Sequence, residues 1–150
     1  MNQQKFLQVL DSTPLVSIDI ILKDESDKVL LGYRNNRPAQ GYWFVPGGRI
    51  RKNETLEKAM SRISKVELGF EIALDESRLL GAYNHIYEDN FQGVQGVNTH
   101  YIALGHEVIL PEGQILTFDS QHSEIKWWSI EDLLASEIVH ENTKAYFRGR

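Results

Sequence analysis

The sequence of 150 residues contains no cysteine. Without thiolates the chain cannot form disulfides or cysteine-ligated zinc sites, and it cannot use a cysteine nucleophile. Long apolar runs are also missing, since no stretch approaches the roughly 18 apolar residues of a membrane span. The first residues lack the apolar centre of a signal peptide. We therefore expect a cytoplasmic protein that does not contact membranes and does not bind metal through sulfur.

Positive charge is scarce, because 16 lysines and arginines face 21 aspartates and glutamates, for a net charge of −5. This balance argues against a protein that binds polymeric nucleic acid or an anionic membrane surface. The distribution is uneven, however. Residues 33–62 contain seven basic and two acidic residues, a local charge of +5, whereas the rest of the chain carries −10. A basic segment in an acidic chain is less easily explained as ordinary solvated surface.

The length fits one domain, residues 1–150, with room for a core and a cleft. Apolar residues that alternate or run together predict strands, and residues with a 3.6 period predict helices. The order of these elements indicates an α/β fold. The predicted strands are 15–23, 29–33, 43–45, 79–87, 100–110 and 125–128, and the predicted helices are 3–10, 54–68, 129–135 and 143–147.

The central predicted helix, 54–68, has Asn53 as its expected N-cap and Gly69 as its expected end. Glu67 falls within its apolar stripe. An unpaired buried carboxylate costs several kcal/mol, so Glu67 needs a cation, hydrogen-bond donors or a cleft. Alternatively, it reaches water at a frayed helix end or pairs with Arg62. The apolar stripe comprises Leu56, Ala59, Met60, Ile63 and Val66.

A sequence motif surrounds this helix. Gly48, Glu54 and Arg62 are spaced as Gly-x5-Glu-x7-Arg, and Glu67-Leu68-Gly69-Phe70 follows. The spacing resembles the Nudix box, whose pattern continues after Arg as Glu-apolar-x-Glu-Glu-x-Gly-apolar. The resemblance implies the Nudix fold, a mixed β-sheet sandwiched between helices in an α/β/α arrangement.

The chain departs from the box at Ile63 and Val66, which replace two of its glutamates. In ordinary Nudix pyrophosphohydrolases those glutamates hold several divalent cations that activate water at phosphorus. One remaining carboxylate cannot build such a cluster, because each Mg²⁺ needs near-octahedral oxygen coordination. The loss is compatible with a catalytically silent module that only binds nucleotide sugars, or with an enzyme that uses other groups.

Two further segments favour the second alternative. Residues 37–49, with the sequence RPAQGYWFVPGGR, and residues 119–122, DSQH, resemble the GDP-mannose mannosyl hydrolase branch of the Nudix family. This resemblance implies hydrolysis of GDP-mannose, with GDP-glucose as a further candidate, to GDP and the free sugar. Water would attack the anomeric carbon and invert it, and the enzyme would be a homodimer. Conventional pyrophosphate cleavage of a nucleoside diphosphate derivative remains the alternative reaction.

The same resemblance implies the site residues. One Mg²⁺, for which Mn²⁺ can substitute, would be held by the Gly47 carbonyl, Glu67 and Gln121. His122 would be the general base. The other implied catalytic residues are Asp19, Arg34 and Tyr101, and the implied substrate-binding residues are Arg49, Arg62 and His85.

Taken singly, these residues have ordinary structural explanations. Asp19 and His85 fit exposed or hydrogen-bonded strand positions, and Gln121 and His122 fit a surface loop. The residues that recognise guanine do not follow from the sequence, because candidate stacking residues are equally plausible core residues. The loop 88–99 is long enough to suggest a lid or partner contact. The candidate stacking residues are Tyr42, Trp43, Tyr87 and Phe91.

Overall fold

Seven strands of this chain pair into one mixed sheet in the computed structural model, which describes residues 1–117 and 122–149 and gives only the backbone of 122 and 123. The strands are β1 (Leu15–Lys23), β2 (Val29–Arg34), β3 (Trp43–Phe44), β4 (Gly47–Arg49), β5 (Arg78–Tyr87), β6 (Thr99–Ile109) and β7 (His122–Trp128). The helices are α1 (Gln3–Ser12), α2 (Leu56–Leu68), α3 (Ile130–Ala135) and α4 (Glu141–Lys144).

Strand β1 lies at the centre of the sheet. It runs parallel to β6 along its whole length and antiparallel to β2 and β4. Strand β5 pairs with the outer side of β6, and β7 pairs with β2. Because β1 is covered on both faces, its residues from Ile20 onward are all buried rather than alternating.

Each face of the sheet carries its own apolar cluster. One cluster packs β1 against α2 through Ile18, Ile20, Met60 and Ile63. The other packs the opposite face, through residues such as Ile21, against the C-terminal segment that contains α3 and α4. The predicted α/β/α sandwich is therefore confirmed.

Helix α2 begins later than predicted. Asn53 has a left-handed φ of 68° and cannot serve as the N-cap, whereas the Thr55 side chain accepts a hydrogen bond from the Lys58 amide at 3.2 Å. The expected N-cap at Asn53 is therefore wrong. The expected end is confirmed, since Gly69 adopts the left-handed conformation with φ 82°.

The buried face of α2 also differs from the predicted stripe. Leu56 and Val66 are 42% and 55% exposed, so their assignment to the apolar side is wrong. Ser64 is buried instead, because its hydroxyl donates to the Met60 carbonyl and accepts from the Ile72 amide at 2.8 Å. The segment after the helix therefore covers Ser64. The buried face of α2 includes Ser64 and excludes Leu56 and Val66.

Two smaller features bear on the site. The loop between β5 and β6 is organised by the buried side chain of Asn90, which makes four hydrogen bonds to backbone groups of the same loop. Helix α4 begins two residues before the predicted 143–147, because His140 caps it by accepting from the Asn142 amide.

Among the described residues, no helix has the length and apolarity needed to span a membrane.

Candidate active site

A cleft of about 290 Å³ opens over β1, β4 and the neighbouring ends of β5 and β6. Arg62 does not line it, Gln121 lies outside the described residues, and His122 is described only by its backbone, which pairs with Arg34. The cleft brings together seven of the ten residues implied by the sequence: Asp19, Arg34, Gly47, Arg49, Glu67, His85 and Tyr101.

Glu67 faces the cleft from α2. Its carboxylate accepts a hydrogen bond from the Gly47 amide at 3.3 Å, and the residue is 5% exposed. This places it inside the protein, which is one of the alternatives that its position in the helix pattern left open, and not at a frayed helix end. Because β4 supplies the amide, the short strand that begins at Gly47 fixes the carboxylate at the cleft floor.

Arg62 pairs with Glu54 and not with Glu67, which was the alternative pairing considered from the sequence. Its Nε and Nη2 donate to the Glu54 carboxylate at 2.7 and 2.9 Å, and Nη2 also donates to the Arg49 carbonyl at 2.8 Å. The guanidinium lowers the pKa of Glu54 to about 2. Arg62 and Glu54 thus tie the start of α2 to the end of β4, next to the residues that line the cleft.

Ile63 and Val66 stand where the Nudix box has glutamates, so their placement limits the carboxylate ligands available for metal ions. Ile63 is buried against Gly48, where an added Cβ would lie 3.1 Å from its Cγ1, while Val66 faces solvent. Among the side chains that the structure describes, which exclude that of His122, no group of three or more acidic or histidine residues could hold a metal ion. The buried Glu67 carboxylate beside the Gly47 peptide fits one hard cation with oxygen ligands, such as Mg²⁺.

Asp19 lies across the cleft from α2. Its Oδ2 accepts a hydrogen bond from the Tyr146 hydroxyl at 2.7 Å. Burial raises the pKa of Asp19 to about 7, the Tyr146 bond opposes that rise, and the negative charge of Glu67 adds to it. Two carboxylates thus face the same small volume, which favours a bound cation or the cationic arginines beside it.

Glycines flank Asp19 on both neighbouring strands. It pairs in register with Gly47 of β4 and with Gly105 of β6. A Cβ at Gly47 would overlap Asp19 Oδ1 and lie 2.6 Å from the Ile18 carbonyl, and a Cβ at Gly105 would overlap the Tyr146 ring. The two glycines therefore create the depression that admits both the carboxylate and the phenol.

His85 is a neutral imidazole in this site. Burial, with a smaller contribution from His140, lowers the pKa of His85 to about 4. Its Nδ1 lies 3.7 Å from Asp19 Oδ2, too far for a hydrogen bond. Its buried Nε2 has no hydrogen-bond partner among the described residues. His85 lines the cleft, and this nitrogen lies beneath the cleft surface.

The remaining polar groups supply positive charge and a proton donor. Arg34 donates through Nε to the Pro38 carbonyl at 3.1 Å, and the Arg49 guanidinium lies 4.6 Å from the Phe6 ring centre. Burial raises the pKa of Tyr101, so its phenol keeps its proton at neutral pH. Tyr101 pairs in register with His85 across β6 and β5, which places donor and imidazole side by side.

The C-terminal segment contributes side chains that support the cleft residues from behind, and the sequence did not predict them. His140 stacks on Phe44 with ring centres 4.8 Å apart, and Tyr146 reaches Asp19. No local pattern marks either residue, because their role depends on contacts with strands far away in the chain. Of the candidate stacking residues, Trp43 is buried in the core, whereas Tyr87 lines the cleft.

The family model described as the NUDIX domain matches residues 13–148. The chain belongs to the Nudix family. This Nudix domain is 44% identical over 119 residues to "Low-salt glycan biosynthesis protein Agl8" of Haloferax volcanii, a match that covers 79% of the chain and 72% of that protein. Membership indicates a hydrolase of nucleotide-linked substrates, a class that generally uses divalent metals such as Mg²⁺.

Two other matches are informative. The "ADP-ribose pyrophosphatase" of Methanocaldococcus jannaschii is 37% identical over 71 residues, which cover 47% of this Nudix domain and 40% of that protein. The crystal structure of the MutT protein from Methanosarcina mazei superimposes with a TM-score of 0.72 at 21% identity, covering 91% of this chain and 92% of that one. The predicted Nudix fold is thereby confirmed.

Proposed function

We propose that this Nudix domain hydrolyses GDP-mannose to GDP and mannose in a Mg²⁺-dependent reaction, with water attacking the anomeric carbon and inverting it. The observation that carries the proposal is the reduced box: Glu67 reaches the cleft, while Ile63 is buried beneath β4 and Val66 faces solvent. A cluster of cations that activates water at phosphorus has no ligands at these positions. Attack at carbon requires no such cluster.

Three residues would supply the protein ligands of the metal ion. Glu67, the Gly47 carbonyl and Gln121 would hold one Mg²⁺, for which Mn²⁺ can substitute. When bound, the cation would offset the negative charge of the diphosphate as it leaves. The Gly47 amide orients Glu67 for this role by donating to its carboxylate.

Expulsion of GDP places negative charge on the diphosphate, and the basic side of the cleft stabilises it. Arg34 and Arg49 present guanidinium groups that match phosphate oxygens. The protonated phenol of Tyr101 donates to the leaving oxygen. By stabilising the charge on the leaving diphosphate, these groups reduce the need for the general acid that ordinary glycoside hydrolysis uses.

The opposite side of the cleft suits the sugar. Asp19 offers a carboxylate, and His85 offers a ring nitrogen without a partner among the described residues. Both groups can bond to sugar hydroxyls. His122 would act as the general base, since a neutral imidazole accepts a proton from water. Its backbone pairs with Arg34, which lines the cleft.

The likeness to a protein named for glycan biosynthesis supports a sugar-linked substrate over other nucleotide derivatives. Isotope labelling tests the reaction itself. Hydrolysis of GDP-mannose in ¹⁸O-water should place the label in free mannose and leave GDP unlabelled. Label in GMP or in mannose 1-phosphate would contradict attack at carbon. Running GDP-glucose in parallel would determine the preferred sugar.

Replacement of His122 tests the assignment of the base. We expect His122→Asn to lower kcat for GDP-mannose about a hundredfold or more with little change in KM, because general-base catalysis contributes roughly 10²–10⁴-fold. A kcat close to that of the wild type would exclude His122 as the base. His100→Asn is the matched control, because His100 does not line the cleft.

A second candidate function is conventional pyrophosphate cleavage, and the similarity to an ADP-ribose pyrophosphatase favours it. This reaction predicts a nucleoside monophosphate among the products and a rate that depends on more than one metal ion. Chromatography of the products from ADP-ribose and GDP-mannose distinguishes the two functions. We also propose that the active enzyme is a homodimer. Analytical ultracentrifugation of the active enzyme would measure its oligomeric state.

A further inference from the structure

We propose that Tyr146 is a positioning residue of the cleft, whose hydroxyl holds the Asp19 carboxylate in one orientation and thereby sets which sugar the site accepts. This inference rests on the proposed function for the nature of the substrate. Neither residue type nor position marked Tyr146 in the sequence. Its role follows from the contact that it makes across the sheet.

The contact is short and enclosed. The Tyr146 hydroxyl donates to Asp19 Oδ2 at 2.7 Å, the residue is 1% exposed, and the Asp19 side chain is 15% exposed. At 2.7 Å this bond has the ideal length for a hydroxyl donor and an oxygen acceptor. Water has little access to compete for Oδ2, so the phenol determines the orientation of the carboxylate.

The sheet is built to admit this bond. Tyr146 lies on the C-terminal segment, and its ring crosses β6 at Gly105 to reach Asp19 on β1. Any side chain at Gly105 would overlap the ring. On the other side of Asp19, Gly47 leaves room for Oδ1. One oxygen is therefore taken by the phenol, and the other lies on the β4 side, where Gly47 and Glu67 are found.

This arrangement bears on sugar recognition. A carboxylate that is free to rotate can accept a hydrogen bond from hydroxyls in several directions and so discriminates poorly between epimers. A carboxylate with one oxygen fixed accepts in a restricted set of directions. The neighbouring imidazole of His85 lies 3.7 Å from the same Oδ2, so it does not replace the phenol as a donor. Orientation of Asp19 thus depends on Tyr146.

The ring of Tyr146 is held independently of its hydroxyl. It packs edge-on against Tyr83 at 4.5 Å and against His85 at 5.7 Å, and it belongs to the apolar cluster on this face of the sheet. Removing the hydroxyl alone should therefore leave the ring in place. Tyr146→Phe isolates the hydrogen bond from the packing.

The primary test compares Tyr146→Phe with Tyr83→Phe. Tyr83 contacts the same ring, and its hydroxyl makes no hydrogen bond among the described residues, so its variant controls for loss of a partly buried phenol beside Tyr146. We expect Tyr146→Phe to lower kcat/KM for GDP-mannose about tenfold to a hundredfold. The ratio of kcat/KM between GDP-mannose and GDP-glucose should move toward one. Tyr83→Phe should leave both quantities unchanged.

A double-mutant cycle with Asp19→Asn separates positioning from a general effect on structure. If Tyr146 acts through Asp19, the Phe substitution should have little further effect in the Asn background. Equal effects in both backgrounds, or an unchanged sugar ratio in Tyr146→Phe, would overturn the inference. Gly105→Ala, which retains the hydroxyl but displaces the ring, should reproduce the Tyr146→Phe ratio, and thermal unfolding verifies that each variant folds.

The cycle also distinguishes this inference from the proposed function. A wild type that cleaves GDP-mannose at phosphorus refutes attack at carbon, and the coupling between the two residues is then measured on that reaction. A wild type without turnover refutes the hydrolase proposal, and the cycle is measured on the Kd of GDP-mannose. In either case additive effects of the two substitutions overturn the role of Tyr146.

Discussion

The two flanks of the cleft each present a largely enclosed carboxylate but support it in different ways. On the α2 flank, Glu67 is oriented by the Gly47 backbone amide, 20 positions away in the chain. On the β1 flank, Asp19 is oriented by the side chain of Tyr146, 127 positions away. The first support is independent of side-chain identity at its donor, and the second depends entirely on it.

This difference indicates how each flank responds to amino-acid substitution. A backbone donor survives substitution of its own side chain, except where a new side chain, as at Gly47, would push β4 away. The β1 flank needs a phenol and two glycines in register. We expect the α2 flank to control turnover and the β1 flank to control which sugar is accepted.

The largest effect should come from Glu67→Gln. It removes the carboxylate of the α2 flank, and we expect turnover to fall at least about a hundredfold with a weaker dependence on Mg²⁺. Steady-state kinetics across Mg²⁺ concentrations measure both. Glu57→Gln, on the exposed side of α2, is the control, and normal activity of Glu67→Gln at low Mg²⁺ would place the metal elsewhere.

Gly47→Ala should impair both flanks together. The new Cβ would overlap Asp19 Oδ1 and crowd the Ile18 carbonyl at 2.6 Å, so β4 must shift away from β1. Overpacking of this kind costs roughly 1–3 kcal/mol, and we expect a similar loss of folding free energy with reduced turnover. Urea unfolding and kcat measure the two effects. If stability and activity both match the wild type, the close approach of β4 is not required.

Glu54→Gln tests the ion pair that ties α2 to β4. The variant should lose about 1 kcal/mol of stability at neutral pH, the scale expected for a partly exposed pair with good geometry. Because Arg62 lowers the folded-state pKa of Glu54 to about 2, the wild-type advantage should be full above about pH 4.5 and should disappear as the pH falls toward 2. Urea unfolding at several pH values measures it. A difference that persists at pH 2 would contradict the ion-pair explanation.

Val66→Glu should have the smallest effect. It restores one glutamate of the Nudix box at a position that is 55% exposed, so we expect a stability change within about 0.5 kcal/mol. Product chromatography should still show no GMP, because Ile63 occupies the other glutamate position beneath β4. Appearance of GMP would mean that a single substitution on the α2 flank converts the reaction.

The α2 flank was predictable from the sequence because its signals are local. The helix and its glycine stop at Gly69 follow from periodicity and spacing over a short stretch of chain, and the resemblance of that stretch to the Nudix box implied the sandwich fold. The N-cap was misassigned because the left-handed turn at Asn53 has no clear signature in the pattern. The exposure of Leu56 and Val66 was missed because periodicity does not show which segment covers Ser64.

The β1 flank could be predicted only in part. The resemblance named Asp19 and His85, but no local feature named Tyr146 or His140. Their roles depend on the register between β1, β4 and β6, which places two glycines beside one aspartate. Such register is set by tertiary packing, and hydrophobic periodicity alone does not encode it.

The distance along the chain between Asp19 and Tyr146 has a consequence for biosynthesis. A ribosome adds about 5–20 residues per second, so the 127 positions between them take roughly 6–25 s to translate. During that interval the phenol does not yet exist, and the strand that carries Asp19 cannot complete its final environment. By the proposed role of Tyr146, a nascent chain gains its sugar selectivity only after residue 146 has been synthesised and its phenol has reached Asp19.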